Sequence, residues 1–171
     1  EKINREQAHA EAGRPARIII KVNSLVEPKV IRALYAASQA GVEIDLIVRG
    51  MCCLRPGVEG VSETIRVRSI IGRFLEHTRV FYFANNGDPE LFCSSADWME
   101  RNFFRRVETA FPLLDEALRD RVLADLQTYL ADNAQAWVLD AEGEYHRLAP
   151  GVDDTPVSAQ SALLSGYGEG H

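Results

Sequence analysis

The sequence predicts an α/β domain: a mixed sheet flanked by helices, with a C-terminal helix and hairpin. Two observations carry this reading. Ile18-Ile19-Ile20 and the stretch Val42 to Val48 (VEIDLIV) are short, continuous apolar runs, the pattern of strands buried on both faces. Between them, Pro28 suits the first turn of a helix. Val30, Leu34 and Ala37 recur at helical spacing, and Gly41 supplies a left-handed cap. Strand, helix and strand within about thirty residues make a βαβ unit, so the two strands run parallel.

The other elements follow from similar signals. Residues 1–12 carry good helix formers, and Gly13-Arg14-Pro15 breaks that helix before a strand over Ala16 to Lys21. Residues 50–63 are rich in Gly and Pro and read as a loop. Thr64 to Ser69 alternates as a strand, and Ile70 to Glu76 reads as a short helix. Thr78 to Ala84 is a strong strand, Asn85-Asn86-Gly87-Asp88 a turn, and Glu90 to Ser94 the returning strand. Asp97 is placed to cap a helix from Trp98 to Phe104, and Arg106 to Phe111 reads as a strand. Asp115 caps a longer helix in which Leu118, Val122, Leu126 and Leu130 recur, ending near Asn133. Ala136 to Leu139 and Tyr145 to Leu148 flank Glu142-Gly143 as a terminal hairpin. Residues 1–150 form the domain, and 151–171, rich in Ser, Gly and Asp, read as a flexible tail.

Composition narrows the function classes. No apolar run approaches the ~20 residues that span a bilayer, and no apolar segment of a signal peptide follows Glu1-Lys2-Ile3-Asn4-Arg5. The missing initiator Met suits a piece of a longer protein, or a processed end. Cys52, Cys53 and Cys93 are odd in number and include an adjacent pair, which argues against a disulfide scaffold and for a reducing compartment. No Cys/His pairing at ligand spacing points to a metal site in this chain. A net charge of −6 argues against a general nucleic-acid binder. Yet between Arg49 and Arg79 lie six arginines and only three acids, which suggests a specific anion site.

The candidate residues sit where strands end. Lys21, Asn23 and Ser24 project from the carboxyl end of the first parallel strand, offering a cation and neutral hydrogen bonds to phosphate. A solvated strand end is the alternative. Arg49 follows the second parallel strand beside Gly50, at the edge where ligands of open α/β sheets collect. It can grip a phosphate bidentately, or form a surface ion pair. Arg55 in the adjoining loop adds a second cation, whereas Arg66, Arg68 and Arg73 suit strand or helix faces. His77 precedes the strong strand, and alternation places it on one face with Arg79. An imidazole can hold or release a proton at neutral pH, the arginine can neutralise phosphate oxygens, and Ser95 and Asp97 can orient the ring. That set suits phosphoryl chemistry, where positioning and charge stabilisation dominate.

Four blocks carry a resemblance: Ile19-Ile20-Lys21-Val22-Asn23-Ser24-Leu25, Ile47-Val48-Arg49-Gly50-Met51-Cys52, Phe74-Leu75-Glu76-His77-Thr78-Arg79 and Ser94-Ser95-Ala96-Asp97-Trp98-Met99. In this order and spacing they resemble the C-terminal domain of bacterial polyphosphate kinase, the long-chain-synthesising family, over residues 1–150. The resemblance implies a phospholipase-D-like fold and reversible, magnesium-dependent transfer of the terminal phosphate of ATP to inorganic polyphosphate. His77-Thr78-Arg79 and Ser94-Ser95-Ala96-Asp97 look like variants of the His-x-Lys and Gly-Ser-x-Asn elements of that superfamily. By resemblance, Arg49 and His77 contact ATP phosphates, and His77 assists proton transfer. The reading of the strand ends adds Lys21, Asn23, Arg55 and Arg79 as expected further phosphate or polyphosphate contacts. The phosphorylated histidine and the metal ligands belong to other domains of the polypeptide, so the isolated piece is expected to be inactive. The complete enzyme is expected to be a homo-oligomer, cytoplasmic or membrane-associated. Two other readings stay open: a phospholipase-D-like phosphodiesterase acting as a dimer, and a non-catalytic polyanion-binding module.

Overall fold

The computed structural model describes residues 1–168. Helix α1 (Lys2–Glu11) leads into β1 (Arg17–Val22), α2 (Pro28–Gln39), β2 (Glu43–Val48) and β3 (Ile65–Ile70). The chain continues through β4 (Val80–Phe83), β5 (Glu90–Ser94), α3 (Glu100–Phe104) and β6 (Ala110–Pro112). It ends with α4 (Glu116–Ala131), the hairpin β7 (Ala136–Leu139) and β8 (Tyr145–Arg147), and α5 (Ala159–Gly168). The eight strands form one mixed sheet in the order β6-β5-β4-β1-β2-β3-β7-β8. β1 pairs parallel with β2, β2 parallel with β3, and the outer pairs are antiparallel.

The β-branched run of β1 explains the layering. Ile18, Ile20 and Val22 point to the face covered by α1 and α2, where Leu34, Ala37, Ile44, Leu46 and Val48 complete the core. Ile19 points the other way, into a second cluster with Ile47, Ile70, Val80, Leu91 and Leu126 of α4. Period-two alternation in a strand covered on both sides gives this result. It also places Lys21, in phase with Ile19, on the α4 face.

Four local expectations change. Residues 71–79 form no helix and no other regular element. β3 continues through Ile70, and hydrogen bonds from distant side chains then hold the backbone. Asp97 does not cap α3, whose N-cap is Met99 without a side-chain bond. The strand expected over Arg106 to Phe111 is the shorter β6. The stretch read as a flexible tail contains α5, whose first residues Ala159 and Gln160 are buried. Its composition is poor for an isolated helix, so tertiary contacts supply the stability. The His171 end of that tail lies outside the described residues. Among the described residues, no helix is long and apolar enough to cross a membrane.

Asp132 joins the C-terminal elements. Its Oδ1 accepts from the backbone N–H groups of Ala134 (3.0 Å), Gln135 (2.7 Å) and Ala136 (3.0 Å), and its Oδ2 from Ala159 (2.7 Å). The side chain is 1% exposed, so no water can replace it. Asp132→Ala takes the acceptor from four backbone donors, two of them buried, and is predicted to cost on the order of 3 kcal/mol. Urea unfolding of the wild type and the variant measures the loss.

Candidate phosphate-binding site

The parallel register sets the site. Val22 pairs with Val48, so Asn23 and Arg49 leave neighbouring strands at the same level. The Gly50 N–H donates to the Asn23 carbonyl at 2.8 Å. A Cβ at Gly50 would stand 2.9 Å from that oxygen, so the two strand ends can approach this closely only with glycine there.

Lys21 is not a free cation at a strand end. It is 2% exposed, and its Nζ lies 2.9 Å from Glu76 Oε2. It also donates to Thr78 Oγ1 (2.8 Å) and the Thr78 carbonyl (3.3 Å), 4.9 Å from the centre of the Tyr129 ring. Burial pushes the ammonium down, Glu76 opposes that, and the neighbouring Arg49 and Arg79 guanidiniums add to the lowering. Burial alone would push the Glu76 carboxyl up. The Lys21 ammonium, with donors from Gln160 and Tyr129, outweighs it and holds Glu76 below the usual carboxylate range.

A second charged cluster lies beside the first. Arg79 Nε and Nη2 donate to Asp97 Oδ1 (3.1 Å) and Oδ2 (3.2 Å). Asp97 Oδ1 also accepts from the backbone N–H groups of Asn23 (2.7 Å) and Ser24 (3.2 Å). Burial works against the Asp97 carboxylate, but Arg79 and these N–H groups hold it low. The Asn23 amide is oriented to donate to the Glu76 carbonyl (3.0 Å) and to accept from Arg79 Nη2 (2.9 Å). Asp97 therefore orients Arg79 and the end of β1, not the His77 ring. Ser95 does not reach His77 either. Its hydroxyl donates to Glu108 and accepts from the Thr109 N–H, which fixes the turn before β6. The shared strand face expected for His77 and Arg79 does not arise, because β4 begins only at Val80.

Arg55 is also committed elsewhere: its Nε donates to the Ala141 carbonyl at 2.8 Å, tying the loop to the terminal hairpin. Arg66 pairs with Asp45 (2.8 Å) and Glu43 (2.7 Å). Arg68 donates to the carbonyls of Tyr129, Leu130 and Asp132 at the end of α4. Both fill the face roles the sequence suggests.

Arg49 and His77 remain. Among the described residues, neither forms an ion pair. Arg49 is half-buried and lines a cleft of about 560 Å³ with Gly50, Gly72, Arg73 and Glu76. His77 is exposed and lines a cleft of about 540 Å³ with Lys21, Arg79, Ser94, Tyr129 and Tyr167. The two do not share a cleft. Segment 74–76 borders the Arg49 cleft and a smaller one of about 370 Å³ that also reaches His77. Sequence reading missed Glu76, Tyr129 and Gln160 as parts of the site. Only Glu76 left a signal: a lysine in phase with a buried strand face needs a carboxylate partner.

A mixed sheet between helical layers, with basic and hydrogen-bonding side chains at the carboxyl edge of its parallel strands, defines a phospholipase-D-like α/β domain. Two solved structures share this fold at low identity. NucT from Helicobacter pylori aligns with a TM-score of 0.56 at 14% identity, over 75% of this chain and 87% of its own. Nuc from Salmonella typhimurium, a phospholipase D family member, aligns at 0.53 and 15%, over 83% and 88%. The chain belongs to the polyphosphate kinase family: the family model described as polyphosphate kinase C-terminal domain 2 matches residues 1–160. It is 63% identical over 164 residues to a polyphosphate kinase of Pseudomonas aeruginosa, and to one of Xylella fastidiosa over the same length. The match covers about 95% of this chain and 24% of either relative, so the chain spans about a quarter of their length. The crystal structure of polyphosphate kinase from Porphyromonas gingivalis aligns at a TM-score of 0.92 and 42% identity, over 99% of this chain and 26% of that one.

The buried pair makes the fold acid-sensitive. An unfolded Glu76 titrates near its ordinary 4.5 and the folded carboxylate lower, so its stabilisation is complete above that value and fades as pH falls through the folded one. Urea midpoints of the wild type are predicted to drop as pH falls below about 4.5, and to drop less for Glu76→Gln.

Proposed function

We propose that this chain is the C-terminal part of an ATP:polyphosphate phosphotransferase and supplies contacts to ATP and polyphosphate phosphates. Family membership supports the reaction class. The observation that carries the site is the distribution of charge. Lys21 and Arg79 are neutralised by Glu76 and Asp97, while Arg49 stands unpaired at the parallel edge among the described residues. A phosphate there meets an uncommitted guanidinium capable of a bidentate grip. His77, exposed on the neighbouring cleft, can bind a phosphate oxygen and hold or release a proton. Lys21, Asn23 and Arg79 act as the framework behind these two rather than as direct contacts, and Arg55 stands apart.

In this reading the terminal phosphoryl group leaves ATP, with release of ADP, and forms a P–N bond to a histidine in another domain. That bond then breaks as the phosphoryl group passes to the terminal oxygen of polyphosphate. Magnesium belongs to the same remote domains. The arrangement favours this reading over a phosphodiesterase, because the cation two positions after His77 is tied to Asp97.

Arg49→Ala and His77→Ala in the complete enzyme are each predicted to lower kcat/KM for ATP-dependent polyphosphate synthesis by at least about tenfold, roughly 1.4 kcal/mol of transition-state stabilisation. Smaller losses in both variants would sink the site assignment.

A further inference from the structure

The segment that presents His77 has no strand or helix to hold it. Residues 71–79 lie between β3 and β4, and few of their backbone groups meet the sheet. Two side chains hold them: Lys21 of β1 binds Glu76 and Thr78, and Gln160 of α5 binds the stretch before them. Gln160 Oε1 accepts from the Phe74 N–H at 2.9 Å, and Gln160 Nε2 donates to the Phe74 carbonyl at 2.7 Å. The amide thus pairs with both backbone groups of one residue, as a neighbouring strand would. Gln160 Nε2 also donates to Glu76 Oε1 at 2.8 Å, which leaves Oε2 for Lys21. Gln160 is buried.

The fit at Gly72 supports the same point. A Cβ there would lie 2.4 Å from Gln160 Oε1 and 2.7 Å from Gln135 Oε1. The segment therefore passes so close to the two glutamine amides that a Cβ at position 72 would push them aside. Gln135 is itself fixed by Ser158, whose hydroxyl donates to its Oε1 at 3.0 Å, at the start of α5.

We propose that Gln160 is a positioning residue: by clamping the Phe74 backbone and the Glu76 carboxylate, it fixes the segment that holds His77 against a phosphate group. The proposal rests on the phosphate-contact reading of His77. Gln160 touches no substrate in it. It acts by keeping an exposed imidazole in one place, and a looser segment would dilute the productive geometry.

The test uses the complete enzyme with Gln160→Met, which keeps the length of the side chain and removes its hydrogen bonds. Amide exchange at Phe74 is expected to quicken by roughly tenfold or more, while amides of β1 stay protected. kcat for polyphosphate synthesis is expected to fall by a similar factor, and Gln160→Met combined with His77→Ala is expected to be no worse than His77→Ala alone. Gly72→Ala, with Gln160 intact, is expected to reproduce both effects by pushing the amide away, and it decides the matter alone if Gln160→Met does not fold. Wild-type exchange at Phe74, or wild-type kcat, in both variants would overturn the proposal. Full activity in His77→Ala would instead overturn the phosphate-contact reading, leaving the clamp to be judged on Phe74 exchange.

Discussion

The ion pair between Lys21 and Glu76 is the interaction on which the edge of this domain depends. The phase of β1 puts Lys21 on the α4 face, among residues with almost no access to water. An ammonium there needs a counter-charge and further acceptors, and Glu76 with Thr78 supplies them. Such a pair adds little net stability over an apolar pair of the same volume, but losing one partner leaves a buried charge. Its value here is specificity. The pair dictates where residues 76–78 must run, and so where His77 emerges.

The basic stretch divides in the same way. Six arginines between Arg49 and Arg79 suggest a dense cationic surface. In the fold, Arg66 answers Asp45 and Glu43, Arg68 closes the end of α4, Arg55 ties a loop to the hairpin, and Arg79 answers Asp97. The field left at the parallel edge comes from few groups, Arg49 foremost. Arg73, exposed over the Phe74 ring in the same cleft, likewise has no ion pair among the described residues. Two uncompensated guanidiniums at one cleft suit selective binding of phosphate better than a broad patch, which would hold any polyanion in a salt-dependent way.

The strands and the long helices were legible because their periodicities are strong and local. The β-branched run of β1, the helical spacing after Pro28 and the Asp115 cap all appear where the residues place them, with Asp115 Oδ1 accepting from the Leu118 N–H at 2.9 Å. The position of Arg49 was legible too, because a parallel pair fixes what stands at its carboxyl end. Asp97 misled because a carboxylate ahead of a helix looks like a cap, while its actual partners are 18 and 74 positions away. Ser95, read as orienting the His77 ring, misled because its partners lie 13 and 14 positions on, in the turn before β6. Helix α5 was illegible because its stability is tertiary: Ala159 is anchored by Asp132, and the Tyr167 hydroxyl donates to Asp125 at 2.6 Å.

The segment before β4 shows why the site could not be built from strand pairing alone. Lys21 pairs with Val80 in the β1–β4 ladder, and its ammonium takes the carbonyl of Thr78, two residues earlier. From that point the backbone leaves the sheet. Had the ladder continued, alternation would have set each side chain of 76–79 on one face or the other, and the Glu76 and His77 environments would have followed from phase. Leaving the ladder lets Glu76 turn inward to Lys21 while the adjacent His77 turns out to solvent. The cost is a run of backbone groups without strand partners, and such groups must be satisfied by something. The side chains of Lys21 in β1 and Gln160 in α5 do it, which makes the geometry of His77 a property of the whole domain rather than of its own segment.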